Sequence, residues 1–123
     1  MGDSKNILIA EDEQISFRLL SLIINHINPN YFIFHAHNGV EAIDLYKNNQ
    51  IDLILMDVKM PEMNGVEATL KIRQMDPKIP IIAQTAFTQD HEILTIEKAG
   101  VNDVLAKPIR KDLLASIFNK YLY

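Results

Sequence analysis

The side chains in this sequence that could do chemistry all stand where a short apolar run stops. Glu11-Asp12-Glu13 follows KNILIA, Asp57 closes the run from Ile51 to Met56, Thr85-Ala86 follows IPIIAQ, and Lys107-Pro108 follows Asn102 to Ala106. Carboxylates gathered at one spot raise one another's pKa unless a cation intervenes. Such a group is a hard-oxygen site suited to Mg²⁺, which takes octahedral oxygen ligands and keeps several waters. Asp12 and Asp57 would bind it directly, Glu11 would hold a metal-bound water, and the backbone carbonyl of Lys59 would add a ligand. A carboxylate beside Mg²⁺ is also a nucleophile toward phosphorus. The phosphoryl oxygens then need donors. Lys107 offers an ammonium, Thr85 a hydroxyl and Ala86 a backbone N–H. The set fits phosphoryl transfer onto an aspartate.

That chemistry requires elements that bring four distant points together. The run before Asp57 is short, and Met60-Pro61 and Asn64-Gly65 follow at once, which suits a strand buried on both faces. KNILIA reads as a first strand. Phe17, Leu20, Ile24 and Ile27 then fall at helical spacing, ending before Asn28-Pro29. Tyr31 to Ala36 is aromatic and β-rich. Asn38 caps a second helix with Glu41 at the capping-box position, and Val40, Ile43, Leu45 and Tyr46 form its apolar side. Val66, Leu70, Ile72 and Met75 mark a third helix stopping at Asp76-Pro77. Ile79 to Gln84 is a fourth strand, and Thr88 caps a helix through Ile93, Leu94, Ile96 and Ala99. Asn102 to Ala106 is a fifth strand, and Leu113, Leu114, Ile117, Phe118 and Tyr121 line a last helix.

Five strands alternating with five helices imply an α/β parallel sheet covered on both sides, with right-handed crossovers. The expected fold is a flavodoxin-like (βα)5 three-layer sandwich of strand order 2-1-3-4-5. In that order the acids, Thr85 and Lys107 converge at the carboxyl edge, where open α/β sheets bind ligands.

The bulk numbers agree with one domain, 1–123 with its core about 5–122. The chain has 123 residues, 48% hydrophobic and 23% charged, enough for a real core. A net charge of −4 argues against direct nucleic-acid binding. There is no cysteine for a disulfide or thiolate site, and no apolar run of the ~20 residues a membrane span needs. The expected setting is cytoplasmic, without membrane contact by this domain, although a parent protein could be anchored.

Glu11-Asp12, Asp57 within MDVKMPEMNG, Thr85-Ala86 and Lys107-Pro108-Ile109, in this order, resemble the receiver (phosphoacceptor) domain of two-component response regulators. The likeness runs from about Lys5 to the last helix. VKMPEMNGVEAT and LAKPI are most similar to the receivers of hybrid sensor histidine kinases. The resemblance implies that Asp57 accepts a phosphoryl group from a phosphohistidine on a sensor histidine kinase or histidine phosphotransfer protein. It further implies a need for Mg²⁺, a cis Lys107–Pro108 peptide, and a switched contact with a downstream output protein or domain. Such a domain is not a turnover enzyme; it loses its phosphoryl group slowly by itself. An aromatic residue usually turns inward on the fifth strand of the family. Here Val104 stands there, so a smaller or differently built switch is expected. Lys59 and Phe87 flank the path of the hydrolytic water and should slow dephosphorylation. The exposed side of the first helix (Gln14, Arg18, Ser21 and Asn25, flanked by Ile15 and Leu22) is the family's kinase-docking face. The chain is expected to be a monomer or weak dimer.

Three rivals are weaker. Aspartate-nucleophile phosphatases carry Asp-x-Asp, whereas here the sequence is Asp57-Val58-Lys59. A flavodoxin would have a Ser/Thr-rich loop after the first strand, where acids stand instead. A degenerate receiver acting only as a docking module would not need its acids, Thr85 and Lys107. His35 and His37, two apart, lack an evident third metal ligand. Lys71, Arg73 and Lys78 read as solvated.

Overall fold

The structure is a computed structural model of the chain, and it describes residues 4–86 and 90–123. Its elements are β1 (Asn6–Ala10), α1 (Gln14–Ile27), β2 (Phe32–Ala36), α2 (Gly39–Asn48), β3 (Leu53–Asp57), α3 (Gly65–Met75), β4 (Ile81–Thr85), α4 (Asp90–Ala99), β5 (Asp103–Ala106) and α5 (Lys111–Leu122). All strands are parallel, in the order β2-β1-β3-β4-β5. Every strand is four or five residues long, which fits one crossing of a small sheet.

Alternation along the strands builds two cores. Ile7, Ile9, Leu53, Leu55, Ile82 and Leu105 point to the side of α1 and α5, against Leu20, Ile24, Leu114, Ile117 and Phe118. Leu8, Ala10, Ile54, Met56 and Ile81 point the other way, against Ala42, Ala68 and Ile72 of α2 and α3. Residues of β3 and β4 are buried throughout, which is why their sequences read as unbroken apolar runs.

Helix starts follow local chemistry. Asn64 accepts from the Glu67 N–H at 2.9 Å, and Glu67 accepts from the Asn64 N–H at 3.2 Å, a complete capping box that fixes the start of α3 just after Asp57. Asn38 likewise accepts from the Glu41 N–H. The box expected there is only half formed, because Glu41 turns instead to the His37 N–H and ring Nδ1, at 2.8 and 2.9 Å.

Several helix residues assigned to apolar faces lie in solvent: Val40, Leu70, Met75, Leu94 and Leu113 are exposed. Ala42, Ala68 and Thr69 take the buried places in α2 and α3. Close helix-to-sheet contact selects small side chains there, a preference that spacing of large apolar residues does not reveal. Arg73 also departs from expectation. It is half-buried and donates to the carbonyls of Gly100 (2.8 Å) and Asp76 (3.1 Å) and to Asn102 Oδ1 (2.7 Å), tying α3 to the start of β5. Thr88, expected to cap α4, lies outside the described residues.

Candidate functional site

Sheet register alone brings the chemical residues together. Ala10 stands opposite Met56, so Glu11 and Asp57, one step further on, emerge side by side. Asp57 is level with Gln84, and Thr85 follows. Thr85 is level with Ala106, and Lys107 follows. The backbone continues these links: Val58 donates to the Gln84 carbonyl at 3.2 Å and Lys107 to that of Thr85 at 2.9 Å. The Lys107–Pro108 peptide is cis.

Lys107 Nζ lies 3.0 Å from Glu11 Oε1 and 3.1 Å from Asp57 Oδ2, donating to both. Glu11 is 1% exposed, Asp57 6% and Thr85 2%. A cleft of about 250 Å³ opens above them, lined by Asp12, Glu13, Asp57, Lys59, Thr85, Ala86 and Lys107. Glu11 lies beneath, also accepting from the Glu13 N–H at 3.2 Å. Phe87 lies outside the described residues.

Two carboxylates share one ammonium, and electrostatics records the deficit. Burial and then the hydrogen bond and charge of Glu11 push the Asp57 carboxyl up to about 7, against the opposing pull of Lys107. Burial pulls Lys107 down, but the hydrogen bonds and charges of Glu11 and Asp57 outweigh it and leave the ammonium held above its ordinary range. An added cation relieves this imbalance. Ligand atoms of Glu11, Asp12 and Asp57 all lie within 4.8 Å of one another. The donors are all oxygen, which fits Mg²⁺ rather than a soft metal. Among the described residues this is the only such cluster, and His35 and His37 are not part of one.

Two supports were not found in the sequence. The His35 ring nitrogen Nε2 meets the Glu11 carbonyl at 2.8 Å, with its ring stacked on Phe17 at 3.5 Å. His35 therefore props the β1 end. Gly65 lies so close beneath β3 that an added Cβ would stand 2.1 Å from the Asp57 carbonyl oxygen. Its N–H donates to Val58. Asn64-Gly65, used in the sequence only to bound the β3 run, gave the only hint and did not reveal the close approach.

A five-stranded parallel sheet with acids, Thr and Lys at its carboxyl edge defines a class. Residues 7–119 match the response regulator receiver domain. The chain belongs to that family, the receivers of two-component signalling. It is 34% identical over 117 residues to the chemotaxis protein CheY of Thermotoga maritima, covering 94% of this chain and 96% of that one. It is 34% identical to the transcription factor SKN7 of Candida albicans, and 33% to the autoinducer 1 sensor kinase/phosphatase LuxN of Vibrio campbellii. Those matches cover 95% and 98% of this chain, which spans 21% and 14% of the two relatives. Among solved structures, the receiver domain of a sensor histidine kinase of Pseudomonas aeruginosa has a TM-score of 0.89 at 28% identity, covering 98% of each chain. That structure holds a magnesium ion in its active site cleft. Magnesium is thus the cation of this cleft in a near structural neighbour, and the three carboxylates here suit it.

Proposed function

We propose that Asp57 is the phosphoacceptor of a phosphorelay. A carboxylate oxygen of Asp57 attacks the phosphorus of a phosphohistidine. The new O–P bond forms as the N–P bond breaks, and the imidazole leaves with the bonding pair and takes a proton from solvent. Asp12, Asp57 and the Lys59 carbonyl would hold Mg²⁺, with Glu11 behind, and the bound ion would supply positive charge to offset that of the transferring group. Lys107 turns one N–H of its ammonium from Asp57 to a phosphoryl oxygen while the same Nζ keeps donating to Glu11 Oε1. The Thr85 hydroxyl and Ala86 N–H donate to the remaining oxygens. The observation that carries this reading is Lys107 Nζ shared between Glu11 and Asp57 at the floor of the cleft.

The donor would be a sensor histidine kinase or a histidine phosphotransfer protein, docking on the exposed side of α1, and the reader an output protein or domain. The likeness to receivers within longer regulators and kinases supports that reading. Lys59 lies exposed on the cleft wall, where its long side chain hinders the hydrolytic water and slows dephosphorylation. Val104 is half-buried on β5, and a β-branched side chain with few rotamers makes a smaller switch than a turning ring. A large rearrangement of α4 and β5 on phosphorylation would count against that last point.

Intact mass after incubation with a phosphorylated histidine protein tests the central claim, with acetyl phosphate as a second donor. One phosphoryl mass should appear, requiring both Mg²⁺ and Asp57. No gain from either donor would leave a docking module instead. A Lys59→Ala chain should lose the adduct faster.

A further inference from the structure

Among the described residues β2 is an outermost strand, and its only sheet partner there is β1. The Phe32 N–H donates to the Lys5 carbonyl at 2.8 Å, and Ala36 accepts from the Glu11 N–H at 2.9 Å. Residues 32, 34 and 36 therefore use their backbone groups on β1. The N–H and C=O of Ile33 and His35 point outward, away from the sheet.

Edge strands are usually protected by charge, proline or a covering element. β5, the opposite edge, has such protection: Asp103 pairs with Lys120 at 3.8 Å, and the Tyr121 hydroxyl donates to the Asn102 carbonyl at 3.1 Å. β2, with sequence FIFHA, has no charge and no proline. On one face Phe32, 57% exposed, packs edge-on against Phe34 with ring centroids 4.8 Å apart. On the other face Ile33 forms the wall of a groove of about 320 Å³ with Phe17 and the exposed Leu22, rimmed by Arg18, Ser21 and Asn25.

We propose that this edge is an interface between two copies of the chain, their β2 strands pairing antiparallel about a two-fold axis at Phe34. Ile33 then faces His35 of the second copy, and each of the two such pairs exchanges two N–H···O bonds. Phe34 meets its own copy in the non-hydrogen-bonded position, where side chains lie closest. The strand that fits here must be extended and uncharged. It must be apolar on one side toward Phe32 and Phe34, and apolar on the other toward the groove. β2 itself is such a strand, and no like charges meet across the axis. The two acidic clefts stay open at opposite ends of the joined sheet, while the contact covers part of the α1 face on which a histidine protein would dock.

The contact is small. It falls below the ~1,200 Å² of stable specific interfaces, so pairing requires high concentration or another contact that already holds two copies together.

Sedimentation velocity on the 123-residue chain, from about 5 µM to about 1 mM, reads the association directly. A reversible dimer is expected at the upper end. Phe32→Lys sets a charge on the edge, and Ile33→Pro removes an outward N–H without touching the β1 ladder. Each should weaken the dimer at least about tenfold. Phe32 is exposed, so its variant should keep the native circular dichroism and melting curve and decides the matter if the proline chain does not fold. A chain that stays monomeric throughout, or a dimer unmoved by Phe32→Lys, would overturn the proposal.

Discussion

Replacing Asp57 with Asn should make the metal-free protein more stable at pH 8, although it removes the central residue of the site. The carboxyl is raised from the ordinary 3.8 to about 7, first by burial and then by Glu11. A group whose folded pKa lies above its unfolded value favours folding while protonated. That contribution is present below about pH 4 and is lost as pH rises through about 7. At pH 8 the folded chain therefore carries an ionised carboxylate that it would rather protonate. At ~1.4 kcal/mol per pH unit, the elevation sets a ceiling of ~4 kcal/mol. Asp57 opens onto the cleft and Lys107 can follow its charge, so about half, ~2 kcal/mol, is the working figure. For a domain of this size that is roughly 8 °C in Tm. Lys107 keeps Glu11 as partner in the variant, at 3.0 Å, so no cation is stranded. The assay is thermal unfolding of both chains in chelator across pH 4 to 8. The gap should be smallest at pH 4, widen as pH rises to about 7, and level off above it. Millimolar Mg²⁺ should close it by stabilising the native chain alone. An Asn chain less stable at pH 8, or a gap indifferent to pH, would refute the reasoning.

Other outcomes follow from particular contacts. Gly65→Ala drives a Cβ to 2.1 Å from the Asp57 carbonyl, so β3 or α3 must shift. Denaturant unfolding should read a loss of about 1–3 kcal/mol, with weaker Mg²⁺ binding by calorimetry. Tyr46 donates to Asp76 Oδ2 at 2.7 Å, and burial followed by that bond raises its phenol to about 12. Its share of stability is complete below about pH 10 and is lost as pH climbs through 12; Tyr46→Phe should cost ~1 kcal/mol at neutral pH and flatten the alkaline limb of a stability profile. Arg73→Met removes donors to Gly100, Asp76 and Asn102, and urea unfolding should register a loss of about 2 kcal/mol.

Much of the site was legible because it is built from strand ends. A parallel sheet flanked on both sides writes its strands as short apolar runs, and the first polar residue after each run stands at the carboxyl edge. Glu11, Asp57, Thr85 and Lys107 could be located that way from the sequence, and the strand order followed from strict alternation. The Asn38 cap was equally readable, since it accepts from the Glu41 N–H within one turn, whereas the Asn64 and Glu67 box was not read from the sequence.

Tertiary structure decided what depends on distance between elements. One ammonium serves two carboxylates because the registers of β1, β3, β4 and β5 step each residue into reach of the next, and no local pattern carries an offset between strands. His35 reads only as one of two histidines, two apart, that lack a third metal ligand, yet it props Glu11 because β2 lies beside β1. Arg73 reads as solvated, yet it ties α3 to β5 because Gly100 and Asn102 come to meet it. Ala42, Ala68 and Gly65 are buried in place of larger neighbours because helix and sheet approach too closely for anything bigger. The sequence by itself determined the alternation of elements and the chemistry at their ends. Which side chains share a charge, a carbonyl or a buried place was decided only when packing set the spacing between them.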